Sequence, residues 1–147
     1  MKTLDASFCN RKLFPSTGGT AAVEFAIVAP LFIFIVMGMI AYGIYFGAAH
    51  SVQQIAADAA RTAIAGLDET ERQALAQHFI DTNAGGYTFI EADKIGVEVS
   101  DNPDDAQQFV VSVQYEADNL PIWRFLTHLP LPGKTISRSS TIRIGGI

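Results

Sequence analysis

The chain has 147 residues, a formal net charge of −5 and 49% hydrophobic residues, close to the soluble average of about 45–50%. Its acidic balance excludes a broad electrostatic grip on nucleic-acid phosphates, and its single cysteine, Cys9, excludes an internal disulfide and a Cys-rich zinc site. The ordinary mean hides an uneven distribution: no Asp, Glu, Lys or Arg stands between Glu24 and Asp58, which argues against a purely soluble one-domain protein.

Three parts follow in chain order. Residues 1–19 form a polar head with Lys2, Arg11 and Lys12 against Asp5, read as a cytoplasmic leader. Pro15, Ser16, Gly18 and Gly19 resist continued helix, so its end is expected to be flexible. Cys9 there reads as an unpaired thiol in a tail. Residues 20–66 are expected to be one helix, apolar first and then amphipathic, and residues 67–147 a small extracytoplasmic α+β module.

Phe25 to Ala49 is almost wholly apolar or Gly. At about 1.5 Å per residue it measures roughly 37 Å, more than the ~30 Å hydrocarbon core. A secretory signal has only about 7–15 apolar residues, so a span is the better reading. The basic head sets the N-terminus in the cytoplasm and residues 50–147 outside, a single pass through the inner membrane. Tyr42, Tyr45 and Phe46 fall near the outer boundary, where aromatic rings favour the headgroup layer. Pro30 removes a helical hydrogen bond and crowds the Ala26 carbonyl, either as a tolerated kink or as a bend that helps the segment leave the bilayer. Gly43 and Gly47 make a GxxxG, with Ser51 continuing the small-residue spacing. That pattern is either a helix-packing face or incidental glycine.

Glu24 sits at the edge of the apolar run, where a carboxylate costs several kcal/mol if carried deeper unpaired. One reading makes it a complement to the helix macrodipole. Another begins from Gly18-Gly19, a backbone a protease can hold extended, followed by the small residues Thr20, Ala21 and Ala22. A cut after Gly19 removes three of the ten basic and one of the fifteen acidic side chains, leaving a formal −7. It also creates an α-amine on Thr20 within about two helical turns of Glu24, able to meet that carboxylate on a neighbouring subunit.

Gly19 followed by Thr20-Ala21-Ala22-Val23-Glu24-Phe25 resembles the cleavage region of type IV-pilin-like prepilins. The longer AAVEFAIVAPLF at 21–32 is similar to the N-terminal segment of TadE-like pseudopilins of the tight-adherence (Flp) type IVb pilus system. The resemblance is sharp over residues 18–45 and loose beyond them. It implies processing between Gly19 and Thr20 by an aspartic prepilin peptidase, with Glu24 and Phe25 as recognition residues. It also implies partners among pilin-like and inner-membrane pilus-assembly proteins. Major pilins of that system often carry Tyr after the Glu, where Phe25 stands here, and have a much shorter outer tail. Both departures imply a minor pseudopilin. The alternative is an unprocessed single-span anchor presenting an outer binding module.

Beyond the span, Val52, Ile55, Ala56, Ala59, Ala63 and Ile64 recur at helical spacing, Asp58 and Arg61 are placed to pair, and Gly66 fits a stop. Asp68 with Glu71 has capping-box spacing and opens a helix from Glu69 to about Thr82, with Leu75, Ala76 and Phe79 inward and Asn83-Ala84-Gly85-Gly86 ending it. Alternation over 94–100 and 107–116 around Asp101-Asn102-Pro103-Asp104-Asp105 predicts an antiparallel hairpin, and β-branched residues over 134–144 a third strand. The economical architecture is an α+β fold, a three-stranded sheet packed on the extended helix with one short extra helix. Trp123, Phe125, Leu126 and Leu129, broken by Pro121, Pro130 and Pro132, either cap the sheet's core or touch a membrane surface or partner.

No catalytic residue, cofactor or metal site is expected. His50, His78 and His128 have no ligand spacing, no Ser or Cys sits in a nucleophile motif, and the acidic turn at 101–105 lacks the EF-hand pattern.

Overall fold

A computed structural model of the chain describes residues 17–125 and 132–144. Helix α1 runs from Thr17 to Ala63, α2 from Glu69 to Asn83, β1 from Ile95 to Asp101, β2 from Gln108 to Glu116, α3 from Ile122 to Phe125 and β3 from Thr135 to Arg143. The chain divides into two units, one ending at Ile35 and the other Val36–Ile147. The class is α+β: a long N-terminal apolar helix, a three-stranded antiparallel sheet and a short additional helix.

The helix limits differ from the expected 20–66. Thr17, Gly18 and Gly19 lie in the first turn of α1, whose N–H groups need no intrahelical partner, so glycine is tolerated there at its lowest cost. At the other end α1 stops at Ala63, and the Gly66 N–H donates to the Ala63 carbonyl. Ile64 lies past that end and is half exposed instead of joining the apolar stripe. The helix runs through Pro30.

The second unit has one core. Alternation places Phe109, Val111, Val113 and Tyr115 of β2 on one face, all fully buried, with Val99 of β1 and Ile136 of β3. Strand order is β1-β2-β3, both pairs antiparallel, with Val97 opposite Val113 and Tyr115 opposite Ile136. The reverse face carries Glu98, Ser112, Gln114, Glu116, Ser137 and Thr141, the polar side of an antiparallel sheet covered on one face. Against the apolar face lie Val52, Ile55, Ala56, Ala59, Ala60 and Ala63 of α1, with Ala76 and Ile80 of α2. Alanine is a good helix former and a small one, so it keeps α1 helical while leaving room for the sheet residues.

The local signals at α2 act as read, with one change of partner. The Asp68 side chain accepts from the Glu71 N–H at 2.8 Å, but the Glu71 carboxylate accepts from the Leu67 N–H at 2.9 Å, one residue before the cap. Ile80 and Arg72 are the deep residues of α2 beside Ala76, whereas Leu75 and Phe79 are half-buried. A six-residue loop joins β1 to β2. In the segment before β3, Leu120 and Ile122 are buried and Trp123 is half-buried; Leu126, Leu129 and the Phe125 side chain lie outside the described residues.

Side chains also close the sheet's edges. The Gln73 amide donates to the Val97 carbonyl at 3.0 Å and its oxygen accepts from the Val99 N–H at 2.7 Å, imitating a neighbouring strand. On β3, Gln53 donates to the Ser139 carbonyl at 3.3 Å. Exposed edges template unwanted pairing, so these amides protect the monomer as well as stabilise it.

Candidate functional site

The expected processing region falls at the start of α1. Gly19, Thr20, Ala21, Ala22, Val23, Glu24 and Phe25 are all exposed on that helix. Thr20 and Glu24 are four residues apart, one turn along the same face. Glu24 is not in the first turn, so the macrodipole, which acts mainly there, accounts poorly for it. A protease must unwind Gly18 and Gly19 to present an extended bond. These residues lose only first-turn hydrogen bonds, and each glycine gives up roughly 1 kcal/mol less helix preference than alanine would.

From Gly19 to Ile40 the helix shows large apolar side chains to its surroundings: Phe25 at 72% exposure, Phe32 at 64% and Met39 at 70%. That stretch measures about 33 Å at 1.5 Å per residue, a match for a ~30 Å hydrocarbon core. The helix over Gly19–Ala63 is a candidate membrane span by length and composition. The stretch expected at 25–49 lies within that helix, and its later part also contributes to the core of the second unit. Ala41, Ala48 and Ala49 belong to the protein core, because apolarity alone does not distinguish burial in lipid from burial under a sheet.

The three small residues proposed for helix packing have different surroundings. Gly43 is exposed, with open space where a Cβ would stand. A Cβ on Gly47 would lie 2.9 Å from the Phe89 ring, and the Ser51 hydroxyl donates to the Thr88 carbonyl at 2.9 Å. Two of the three positions are thus occupied by the chain's own 87–89 segment. Phe89 has φ 64°, the left-handed region that a bulky residue enters only with strain, and its carbonyl accepts from the Tyr115 hydroxyl. Nothing in the sequence around Phe89 marks that conformation beyond the preceding Gly85-Gly86.

Around the same turns of α1, Tyr45 meets Phe46 edge-on at 6.0 Å between ring centroids and Trp123 at 6.3 Å. The Trp123 indole N–H donates to the Ala117 carbonyl, the Tyr45 hydroxyl reaches the Gly133 carbonyl, and the Lys134 ammonium stands 6.0 Å over the indole.

Charge fixes the loops. Arg61 pairs with Asp58 at 2.6 Å as expected, and the other Asp58 oxygen accepts from the Tyr87 hydroxyl at 2.8 Å. Burial, reinforced by that hydrogen bond and charge, pushes the Tyr87 hydroxyl up to about 12. Lys94 bridges Asp118 at 2.9 Å and Glu91 at 3.2 Å. Its hydrogen bond to Asp118 raises its pKa, and the same bond lowers that of Asp118. Glu91 is lowered by its bond from Asn119 and then by Lys94. The acidic turn uses its groups internally: Asp101 pairs with Arg72, Asn102 accepts from the Asp104 N–H, and Asp105 accepts from Gln107 and Gln108.

Among the described residues no group of three or more His, Cys, Asp or Glu is placed to hold a metal ion. His50 and His78 are exposed and apart in the chain; His128, Cys9, Lys2, Arg11 and Lys12 lie outside the described residues.

What these features define is a protein with one apolar N-terminal helix able to anchor it in a membrane, carrying a small α+β module. Residues 19–61 match the family model described as TadE-like protein, so that part of the chain is similar to the family. The resemblance carried by residues 21–32 lies within that match. No curated protein and no solved structure matches the chain.

Proposed function

We propose that the chain is a minor, pilin-like subunit (a pseudopilin) in assembly of a tight-adherence type IVb pilus. It is made with residues 1–19 as a cytoplasmic leader and inserted in the inner membrane with its module outside. A prepilin peptidase then cuts between Gly19 and Thr20, and the product joins other pilin-like and inner-membrane assembly proteins through its N-terminal helix. The observation that carries this reading is the spacing of Thr20 and Glu24, one turn apart on an exposed apolar helix. The cut puts a cation on Thr20 beside a carboxylate that otherwise faces lipid alone, and pairing between subunits neutralises both while fixing register.

Co-expression with a prepilin peptidase followed by intact-mass measurement tests it. The mature protein should begin at Thr20, and Gly19→Val should stay full length. An uncut chain in the presence of an active peptidase refutes the processing step. Glu24→Gln should still insert in the membrane but fail in maturation or piliation, and unchanged performance in both removes the role given to Glu24. The rival reading, an unprocessed anchor with a binding module, has one observation in its favour, the helical state of Gly18 and Gly19. It requires that Glu24→Ala leave size, location and partner recovery unchanged.

A further inference from the structure

The aromatic cluster around residues 45–47 of α1 has an architecture that packing of the module does not require. Phe46 is 64% exposed and Phe89 46% exposed, although each touches other rings or the Gly47 backbone. Phe89 has a left-handed backbone that disfavours bulky side chains. One side of the Phe89 ring packs on Gly47, while 46% of the residue stays exposed to water. The exposed part gains if the ring enters an apolar phase.

Lys134 stands at the cluster, and Arg124 follows Trp123 in α3. Arg124 and Lys134 are exposed and make no ion pair among the described residues, while Lys134 lies over the Trp123 ring. Trp123 and Tyr45 turn their polar tips to backbone carbonyls, and both are half-buried, packed against the edge of the core. Exposed apolar rings, amphipathic rings and unpaired cations are together the chemistry a headgroup region favours. The cluster also lies directly along α1 from Met39 and Ile40, which are exposed at 70% and 53% at the end of the lipid-length stretch.

We infer that Tyr45, Phe46, Phe89 and Trp123, with Arg124 and Lys134, form a seat that rests the module on the surface of an anionic lipid bilayer. The inference depends on the membrane-span reading of α1 but not on cleavage at Gly19. It makes Phe89 and Trp123 membrane-contacting residues of the module.

Trp123 is the chain's single tryptophan, so its emission reports on the seat directly. The full chain is reconstituted in vesicles of phosphatidylcholine and phosphatidylglycerol, plain or brominated at one depth. Lipid brominated near the headgroups should remove roughly half of the Trp123 emission, and lipid brominated at the chain ends far less, because indoles favour the interface. Phe89→Asn removes the ring while suiting the left-handed backbone, so it should fold normally and cut the quenching at least about twofold. Replacing phosphatidylglycerol with neutral lipid should weaken quenching in the parent and leave an Arg124→Gln, Lys134→Gln double variant unaffected.

Equal emission in plain and brominated vesicles overturns the seat. So does emission indifferent to bromine yet increasingly shielded from acrylamide as protein concentration rises, which identifies a second copy as the occupant. Flotation after alkaline extraction separates the two readings. A chain that leaves the vesicles refutes the span, whereas one that floats with Trp123 unquenched refutes the seat alone.

Discussion

Arg72 offers the sharpest test of how the module is held together. It is buried on α2, and its guanidinium donates to the carbonyls of Gly66 at 3.3 Å and Leu67 at 3.4 Å and to Asp101 at 2.7 Å. The same group lies 5.0 Å over the Phe109 ring. Arg72→Ala leaves two carbonyls of the α1–α2 connection without their donor and strips cover from Phe109. Charged hydrogen bonds are worth about 1.5–3 kcal/mol each, but two of these are long, and the side chain of Asp101 is 55% exposed, which screens that pair. A total of about 3–4 kcal/mol follows, or roughly 12–25 °C in melting temperature for a module near 100 residues. Arg72→Lys keeps the charge but loses the fork, and should cost about half as much. Asp101→Asn should cost under about 1 kcal/mol. Thermal melts of the detergent-solubilised chain, followed by Trp123 emission and near-ultraviolet circular dichroism, give the order directly. If Asp101→Asn falls as far as Arg72→Ala, the surface ion pair dominates and the carbonyl clamp is the wrong explanation.

Four further outcomes follow from the same geometry. A Cβ on Gly66 would lie 2.7 Å from the Arg72 backbone nitrogen, so Gly66→Ala should destabilise by about 2 kcal/mol in chemical denaturation, and non-additively with Arg72→Ala because the two share one contact. Gln73→Leu frees the β1 edge and should lower stability by about 1–2 kcal/mol while increasing self-association in light scattering. Glu91 and Asp118 are lowered from ordinary values of 4.5 and 3.8, so their contribution is present above those values and is lost as pH falls through the depressed ones. Lys94→Met should therefore melt lower than the parent at neutral pH, with the gap closing in acid. Tyr87 has the opposite sign: raised from 10.0 to about 12, it stays protonated when the unfolded chain has ionised, so stability should fall between those values and Tyr87→Phe should flatten that limb.

What could be read from the residues alone was whatever depends on near neighbours. Asp68 and Glu71 define the start of α2 because a cap needs only three residues, and the strand alternation places every β2 core residue because the period of two admits one answer. Arg72 was missed for a definite reason: a charged residue reads as solvated, although its spacing to Ala76 and Ile80 on the buried stripe was available as a signal. Gln73 had no signal, since bridging Val97 and Val99 depends on where β1 lies in space. The burial of Ala41, Ala48 and Ala49 in the core was not legible, because that stretch is as apolar as the one before it. Of the candidate site residues, the order of Gly19, Thr20, Glu24 and Phe25 is legible as a motif, whereas the occupation of Gly47 and Ser51 by residues 87–89 is a tertiary fact.

Side-chain size separates the two environments where hydrophobicity does not. Along α1 up to Ile40, the large apolar residues Phe25, Ile27, Leu31, Phe32 and Ile33 are each 59% exposed or more. Lipid tails are fluid and accept bulky, irregular surfaces, so nothing there favours small residues except where another helix must approach. From Ala41 onward, the buried face is Ala41, Ala48, Ala49, Ala56, Ala59, Ala60 and Ala63 with only Val52 and Ile55 larger. A sheet whose inner face already carries Phe109 and Tyr115 fills the volume itself, and a helix beneath it must be thin. A substitution such as Ala56→Leu should therefore overpack the core by about 1–3 kcal/mol, whereas Ala22→Leu, facing outward in the first unit, should leave stability unchanged. Equal losses at both sites would mean that the start of α1 is packed against something other than lipid, and the assignment of Gly19–Ile40 to the bilayer would fall with it.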